Sequence, residues 1–237
     1  MATVAIVLAA GSGSRVNPAV NKVYLNLGDR TILGHSLETM QTSTVVDRII
    51  LVIRPVDRPR ATEVVTHAHL SKVSAIVDGG VTRQESEMAG LQEIAGEIES
   101  GAIDLVAIHD GARPFASLSL IEAVVAAARV SGGAIPALPV DERLYRAADD
   151  TAEPLSAATL VRVQTPQAFA ALPLLAAYRS AATAEFAGFD TAETMEKFST
   201  IAVRCIAGDP RNIKLTFVED FFLAEDLAAR WQAGRWK

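Results

Sequence analysis

The chain has 237 residues, half of them hydrophobic, with aromatics at 5% and a formal net charge of −6. That length suits one large α/β domain, residues 1–237, with a sizeable core. The acidic balance, with no block of lysine or arginine, argues against a nucleic-acid partner.

A lone cysteine, Cys205, excludes an intrachain disulfide and a cysteine-rich metal site. It reads as a small buried residue in the apolar run IAVRCI. No apolar run reaches the ~18 residues of a membrane span, and no targeting segment is read, so a soluble, cytoplasmic protein with no membrane partner is expected.

Residues 4–8 (VAIVL) read as a buried parallel strand: short, β-branched and ended by glycine. The loop Ala9-Ala10-Gly11-Ser12-Gly13-Ser14-Arg15 follows, and Lys22 lies seven residues beyond it. Small side chains let backbone N–H groups approach a ligand, and Arg15 and Lys22 add positive charge. These are the parts of a polyphosphate site. The bland alternative is a tight turn with two solvated cations. The loop does not spell a P-loop, and Val16 stands where the dinucleotide fingerprint needs its third glycine.

Residues 23–27 read as extended and 28–30 as a turn, after which Thr31 caps a helix over 32–40. A second buried strand is predicted at 48–53, a polar helix at 60–69, and a third strand at 73–77 that ends in Asp78-Gly79-Gly80. A helix over 84–98 precedes a fourth strand at 105–108, which ends in His109-Asp110-Gly111-Ala112-Arg113-Pro114. A helix at 118–130 and a fifth strand at 134–140 follow. The alternation predicts a doubly wound, mostly parallel sheet of Rossmann-like type. Ligands of such sheets bind at the carboxyl ends of the strands, where three unusual loops here converge.

Over residues 141–160 the pattern breaks into charged, then small and polar residues. A β-hairpin arm over about 138–164 that pairs with another subunit explains this better than a long structureless loop. Residues 161–164 return to the body. Helices at 172–183 and 191–198, a strand at 202–206, a loop at 208–212, an extended stretch at 213–215 and a helix at 218–231 complete the chain.

Asp110, at the end of a buried strand, is costly unless paired or bound to metal. A Mg²⁺–phosphate role fits, and so does pairing with Arg113. Lys214 reads as a phosphate-reaching lysine or as a solvated one. His35, His67, His69 and His109 form no metal constellation; His67 and His69 are expected on opposite sides of a helix. His109 orients Asp110 or simply ends the strand. Gly-x-Ser-x-Gly is absent, which sets hydrolase chemistry aside.

The blocks LAAGSGSR with Lys22, LGDRTILGHSLE, VDGGVTRQES, IHDGARPF, VQTPQAF and NIKLTFVEDF occur in one order along the chain. In these the chain resembles the IspD family of 2-C-methyl-D-erythritol 4-phosphate cytidylyltransferases and their relatives, the ribitol-5-phosphate cytidylyltransferases. The resemblance implies transfer of CMP from CTP to a small alcohol phosphate with release of pyrophosphate, Mg²⁺ as cofactor, and a homodimer interlocked through the arm. It further implies that Ala9, Ala10, Gly11, Ser12, Gly13 and Ser14 cradle the triphosphate. Arg15, Lys22 and Lys214 would then be catalytic at the α-phosphate. Gly79, Gly80 and Ser86 match cytosine and ribose contacts, with Arg83 in the same loop. Asp110 matches the metal-associated aspartate, with Ala112 beside it among the CTP contacts and Arg113 among the residues that bind the second substrate.

Three departures fall toward the acceptor side, and a fourth precedes the lysine of the first loop. Asn21 stands where the family usually has proline. In the arm, Arg143 occupies a threonine position, and Ala157 replaces an arginine that binds the second substrate's phosphate. The Thr-Asp-Glu motif becomes Asp190-Thr191-Ala192-Glu193. Either Arg143 compensates and methylerythritol phosphate remains the acceptor, or the acceptor is another polyol phosphate such as ribitol 5-phosphate, or catalysis has weakened. Asp190 would repel a phosphate in that pocket. A dinucleotide-dependent oxidoreductase and a non-catalytic nucleotide-binding protein are the other classes; the incomplete fingerprint counts against the first and the retained Arg15, Lys22, Asp110 and Lys214 against the second.

Overall fold

A computed structural model of the chain describes residues 2–11, 21–148, 151–156 and 160–232. The first part of the chain holds β1 (Ala2–Ala9), β2 (Asn26–Leu27), β3 (Arg30–Thr31), α1 (Ile32–Thr42), β4 (Arg48–Ile53), α2 (Arg58–His67), β5 (Val73–Asp78), α3 (Arg83–Glu93), α4 (Ala95–Glu99) and β6 (Ile103–Asp110). It continues through α5 (Leu118–Ser131), β7 (Gly133–Pro139), β8 (Leu144–Ala148), β9 (Thr151–Leu155), β10 (Val161–Val163) and β11 (Gln167–Ala170). The last part holds α6 (Ala171–Thr183), α7 (Thr191–Phe198), β12 (Arg204–Ala207) and α8 (Glu219–Gln232).

Among the described residues the main sheet has eight strands. β1 lies at its centre, parallel to β4 on one side and β6 on the other, and β5 extends the sheet beyond β4. β11 pairs antiparallel with both β6 and β7, β10 continues antiparallel along β7, and β12 pairs parallel with β7. The sheet is therefore mostly parallel with an antiparallel insertion, as the strand–helix alternation predicts.

Alternation along β1 assigns the two layers. Ala5, Val7 and Ala9 face a core shared with α1, α2 and α5 through Leu37, Ala61 and Val124. Val4 and Ile6 face the other core, shared with α3, α4 and α6 through Leu91, Ile98 and Tyr178. A strand buried on both faces reads as one unbroken apolar run, which is why VAIVL carries no polar alternation. A third, smaller cluster joins Leu27, Ile32, Phe115 and Leu215 to Ala224 and Ala228 of α8.

Helix starts follow the sequence closely. The Thr31 hydroxyl accepts the Gly34 N–H at 3.0 Å and opens α1. Thr82 and Glu85 form a reciprocal capping box at α3. The arm stretch is a hairpin in which β8 pairs antiparallel with β9 and both strands are largely exposed.

Several expectations need correction. Residues 22–24 form a 3-10 turn rather than an extended run, because the Asn21 carbonyl accepts the Tyr24 N–H at 3.1 Å. The helix expected over 84–98 breaks at Ile94, whose N–H reaches the Leu91 carbonyl, so α4 starts anew. β11 was not legible: QAFA has neither β-branched residues nor alternation, and register between β6 and β7 makes it a strand. His67 closes α2, whereas His69 lies beyond it with φ of 50°, so the pair does not share a helix. Cys205 is exposed, because β12 is an outer strand of the sheet.

Candidate active site

Sheet register brings the chemistry together. Ala9 pairs with Ile53, Ile53 with Asp78, and Leu8 with Asp110. The carboxyl ends of β1, β4, β5 and β6 thus meet at one edge, where α/β sheets bind ligands. A cleft of about 480 Å³ opens there, lined by Ala9, Ala10, Gly11, Lys22, Gly80, Arg83, Ser86, Asp110, Ala112 and Lys214 among others. Ser12, Gly13, Ser14 and Arg15 lie outside the described residues. A larger hollow of about 670 Å³ between α1 and α2 holds none of the expected site residues.

Two glycines shape one wall. A Cβ on Gly79 would fall 2.7 Å from the Ala10 Cβ and 2.8 Å from the Ser86 Oγ. A Cβ on Gly80 would fall 2.2 Å from that of Glu85. Only glycine lets the loop after β5 close against the loop after β1. The Ser86 hydroxyl donates to the Thr82 carbonyl at 2.9 Å, turned inward by α3.

Asp110 is the electrostatic centre. Arg83 Nη1 lies 2.6 Å from its Oδ1, while Lys214 Nζ and Arg113 Nε lie 3.0 and 3.3 Å from its Oδ2. Burial alone would raise this carboxyl; the surrounding cations, led by Arg83 and then Lys214 and Arg113, reverse that and hold it well below the usual carboxylate range. Even with Glu87 paired to Arg83, two carboxylates face three cations, so the site retains positive charge suited to a polyanion.

Arg83 is itself braced. Its Nε donates to Glu87 Oε1 at 2.9 Å, and Glu87 accepts further bonds from Tyr178 at 2.5 Å and Thr191 at 3.0 Å. Burial raises the Glu87 carboxyl despite the opposing pull of Arg83. The Arg83 Nη2 atom is buried without a hydrogen-bond partner. An orphaned guanidinium donor in a cleft wall is what an arriving acceptor would satisfy.

Behind Asp110 the network fixes a histidine tautomer. His109 Nε2 lies 3.2 Å from the Arg113 carbonyl, which can only accept, so Nε2 carries the proton. Nδ1 then accepts from the Thr165 hydroxyl at 3.1 Å, whose oxygen also receives the Asp110 N–H at 3.0 Å. Burial pushes the His109 pKa down to about 4, so the ring is neutral near pH 7. His109 therefore positions Asp110 through Thr165 and the Arg113 carbonyl.

Lys214 reaches Asp110 from a segment that joins no strand. Leu215 is fully buried in the α8 cluster, and its N–H donates to the Ala112 carbonyl at 2.9 Å. That anchor turns the neighbouring Lys214 side chain, 41% exposed, toward the cleft.

The structure does not bring the expected acceptor residues to this cleft within one chain. Arg113 sits behind Asp110, only 11% exposed, with Nη1 donating to the Asn212 carbonyl at 2.8 Å. Asp190 caps α7 by accepting the Glu193 N–H at 3.0 Å, and its other oxygen accepts from Gln167 Nε2 at 2.9 Å. A carboxylate so engaged does not confront a phosphate in this cleft, which removes the repulsion expected there. Arg143 lies on the exposed arm with its guanidinium 5.7 Å from the Tyr145 ring centre. Ala157 lies outside the described residues.

Sequence reasoning gave no role to Arg54 or Glu87 and named Asn21 only as a departure from the family's proline. Arg54 follows β4 directly and lines the cleft, a position that its place at a strand end could have flagged. Glu87 gave no signal, since an acidic residue in an amphipathic helix normally faces water.

Comparison with known proteins agrees with this geometry. The sequence profile of IspD, 2-C-methyl-D-erythritol 4-phosphate cytidylyltransferase, matches residues 3–230. The 2-C-methyl-D-erythritol 4-phosphate cytidylyltransferase of Geobacillus kaustophilus is 39% identical over 226 residues, covering 95% of this chain and 96% of that protein. That of Geobacter metallireducens is 40% identical over 228 residues, covering 95% and 97%. A crystal structure of 4-diphosphocytidyl-2C-methyl-D-erythritol synthase from Anaerococcus prevotii superimposes with a TM-score of 0.83 at 30% identity, covering 97% of this chain and 96% of that one. With its doubly wound sheet and its cation-ringed Asp110 at the edge of β6, the chain belongs to the IspD family of cytidylyltransferases.

Proposed function

We propose that the cleft at the ends of β1, β4, β5 and β6 transfers CMP from CTP to 2-C-methyl-D-erythritol 4-phosphate and releases pyrophosphate, a step of isoprenoid precursor synthesis by the non-mevalonate route. The observation that carries this reading is the ring of Arg83, Lys214 and Arg113 around Asp110, beside a phosphate-suited loop and Lys22. An acceptor phosphate oxygen attacks the α-phosphorus of CTP in line, and the bond to the oxygen bridging the α- and β-phosphates breaks. Both reactants are polyanions, so catalysis rests on positioning and charge neutralisation.

In this reading residues 9–15 cradle the triphosphate. Lys22, Lys214 and Arg15 stabilise charge at the α-phosphate, and Gly79, Gly80 and Ser86 hold the nucleoside. Arg83 places its orphaned donor toward the nucleotide. Arg113 and His109 keep Asp110 in place. The acceptor phosphate meets Arg143 from a partner's arm in a homodimer. The exposed β8–β9 hairpin supports that assembly, because an isolated two-stranded hairpin is marginal by itself.

The residues present fit Mg²⁺ in one manner. Among the described residues no cluster of three or more His, Cys, Asp or Glu could hold a metal alone. Asp110 offers one carboxylate, and magnesium commonly takes one or two carboxylates plus substrate phosphates. Both Asp110 oxygens already accept from cations, and Lys214, the most exposed of the three, is the one that would make room for an ion held by Asp110. An ion held there would offset charge on phosphate oxygens. The expected location is cytoplasmic, where CTP is made; among the described residues no helix is long and apolar enough to cross a membrane.

The test is pyrophosphate release with CTP, UTP or ATP against methylerythritol 4-phosphate, ribitol 5-phosphate, glycerol 3-phosphate and no acceptor. The reading expects turnover with CTP and methylerythritol 4-phosphate at least tenfold above every other pair. Preference for ribitol 5-phosphate would move the chain to the relatives' substrate.

A further inference from the structure

Asn21 spends its whole side chain on three elements. Buried to 1% exposure, its amide donates to the Ala9 carbonyl at 2.8 Å and to Asp57 Oδ2 at 3.1 Å. Its Oδ1 accepts the Val23 N–H at 3.4 Å and so caps the turn that begins with Lys22. One amide thereby ties the end of β1, the start of α2 and the lysine's own turn.

Asp57 is equally committed, and in an unexpected direction. It occupies the N-cap position of α2 yet makes no capping hydrogen bond. A capping aspartate ordinarily contributes ~1 kcal/mol to its helix. Here the carboxylate, 3% exposed, turns toward Arg54 instead, accepting Nε on Oδ2 at 2.7 Å and Nη2 on Oδ1 at 3.0 Å. The helix forgoes its cap so that a cleft-lining arginine is held by a bidentate fork. Arg54 stands next to the phosphate-suited loop, because Ile53 pairs with Ala9. Two of its nitrogens, Nε and Nη2, are fixed on Asp57, and the third, Nη1, is not part of that fork.

We propose that Asn21, Asp57 and Arg54 form a latch that positions Lys22 and Arg54 on the phosphate-binding wall of the cleft. The latch rests on the reading that the cleft takes a nucleoside triphosphate by its phosphates. Asn21 and Asp57 are positioning residues acting through Lys22 and Arg54, and Arg54 touches the phosphates itself. The backbone at Asn21 sharpens the test, since its φ of −64° is the angle that a proline ring enforces. Asn21→Pro fixes that angle while cutting the side-chain links, and Asn21→Ala cuts the links without fixing the angle.

The experiment measures binding of CTP and of inorganic triphosphate by calorimetry, with thermal unfolding to confirm the fold. Asn21→Ala and Asn21→Pro are each expected to weaken both probes about tenfold, the loss of one or two buried hydrogen bonds, because proline keeps the backbone angle and restores none of the side-chain links. In an Asp57→Ala background, Asn21→Ala should add less than twofold, because the two act as one unit. Arg54→Lys, at a partly exposed position where folding is secure, should weaken both probes several-fold while leaving the acceptor KM unchanged. Unaltered affinity in Asn21→Ala and Arg54→Lys would overturn the latch, as would independent, additive losses, or full affinity in Asn21→Pro, which would place the effect in the backbone angle. Binding of triphosphate but not CTP by the unaltered protein would overturn the nucleotide reading while the latch stands or falls on the variants. Binding of neither would overturn both.

Discussion

At the scale of single residues, the site is governed by how many partners Asp110 holds. Lys214 is the exchangeable one, half-exposed and on a flexible stem, whereas Arg83 and Arg113 are locked by Glu87 and by the Asn212 carbonyl. Lys214→Ala should therefore cut kcat by about 10²–10³-fold and move Tm by only a degree or two. Steady-state kinetics beside a thermal melt decides this, and an unchanged kcat would remove Lys214 from catalysis. His109 supplies a pH signature. Its ring is neutral when folded, with a pKa of about 4, against about 6.5 when unfolded. Between those values the unfolded chain binds more protons, so stability is lost as pH falls through that window, by up to about 3 kcal/mol. Glu87, whose carboxyl is raised, acts in the opposite sense. The informative quantity is thus the difference between the parent and His109→Gln in urea unfolding at pH 7 and pH 4.5. The variant should lose less stability on acidification; equal losses would contradict a buried neutral ring.

At the scale of elements, legibility tracked how much of the signal was local. The strands β1 and β4 announce themselves as apolar runs, and α1 and α3 carry their caps in Thr31 and Thr82. Asp110 and Lys214 could be singled out by position, but their direct contact joins residues more than a hundred apart and depends on Leu215, which is hydrogen-bonded to the Ala112 carbonyl and buried in the α8 cluster. Arg113 misled because a cation in a site loop looks substrate-facing; burial and the Asn212 carbonyl claim it instead. β11 and the exposed Cys205 depend on where neighbouring strands end, which a single sequence does not reveal. The arm is legible as a break in periodicity, and its proposed role is separable from the fold. Replacing residues 141–160 with a short turn should leave the Tm of the body within a few degrees and convert a dimer to a monomer in sedimentation. Arg143→Ala alone should raise the acceptor KM about tenfold with CTP affinity unchanged. A monomeric parent protein would contradict the arm's role.

At the scale of the whole molecule, a chain of net charge −6 gathers cations at one sheet edge. The two packed cores hold β1, β4 and β6 in a fixed register, so Ala9, Ile53, Asp78 and Asp110 stay aligned while the loops beyond them take the ligand. The fold thus supplies rigidity behind the site and the loops supply chemistry in front of it. The central claim is that this edge joins CMP to an alcohol phosphate. Phosphorus NMR of the protein with CTP, Mg²⁺ and methylerythritol 4-phosphate tests it most directly. The account predicts the paired resonances of a new diphosphate diester appearing together with free pyrophosphate, and their absence with Asp110→Asn. Unchanged CTP and acceptor resonances with the folded parent protein would contradict it.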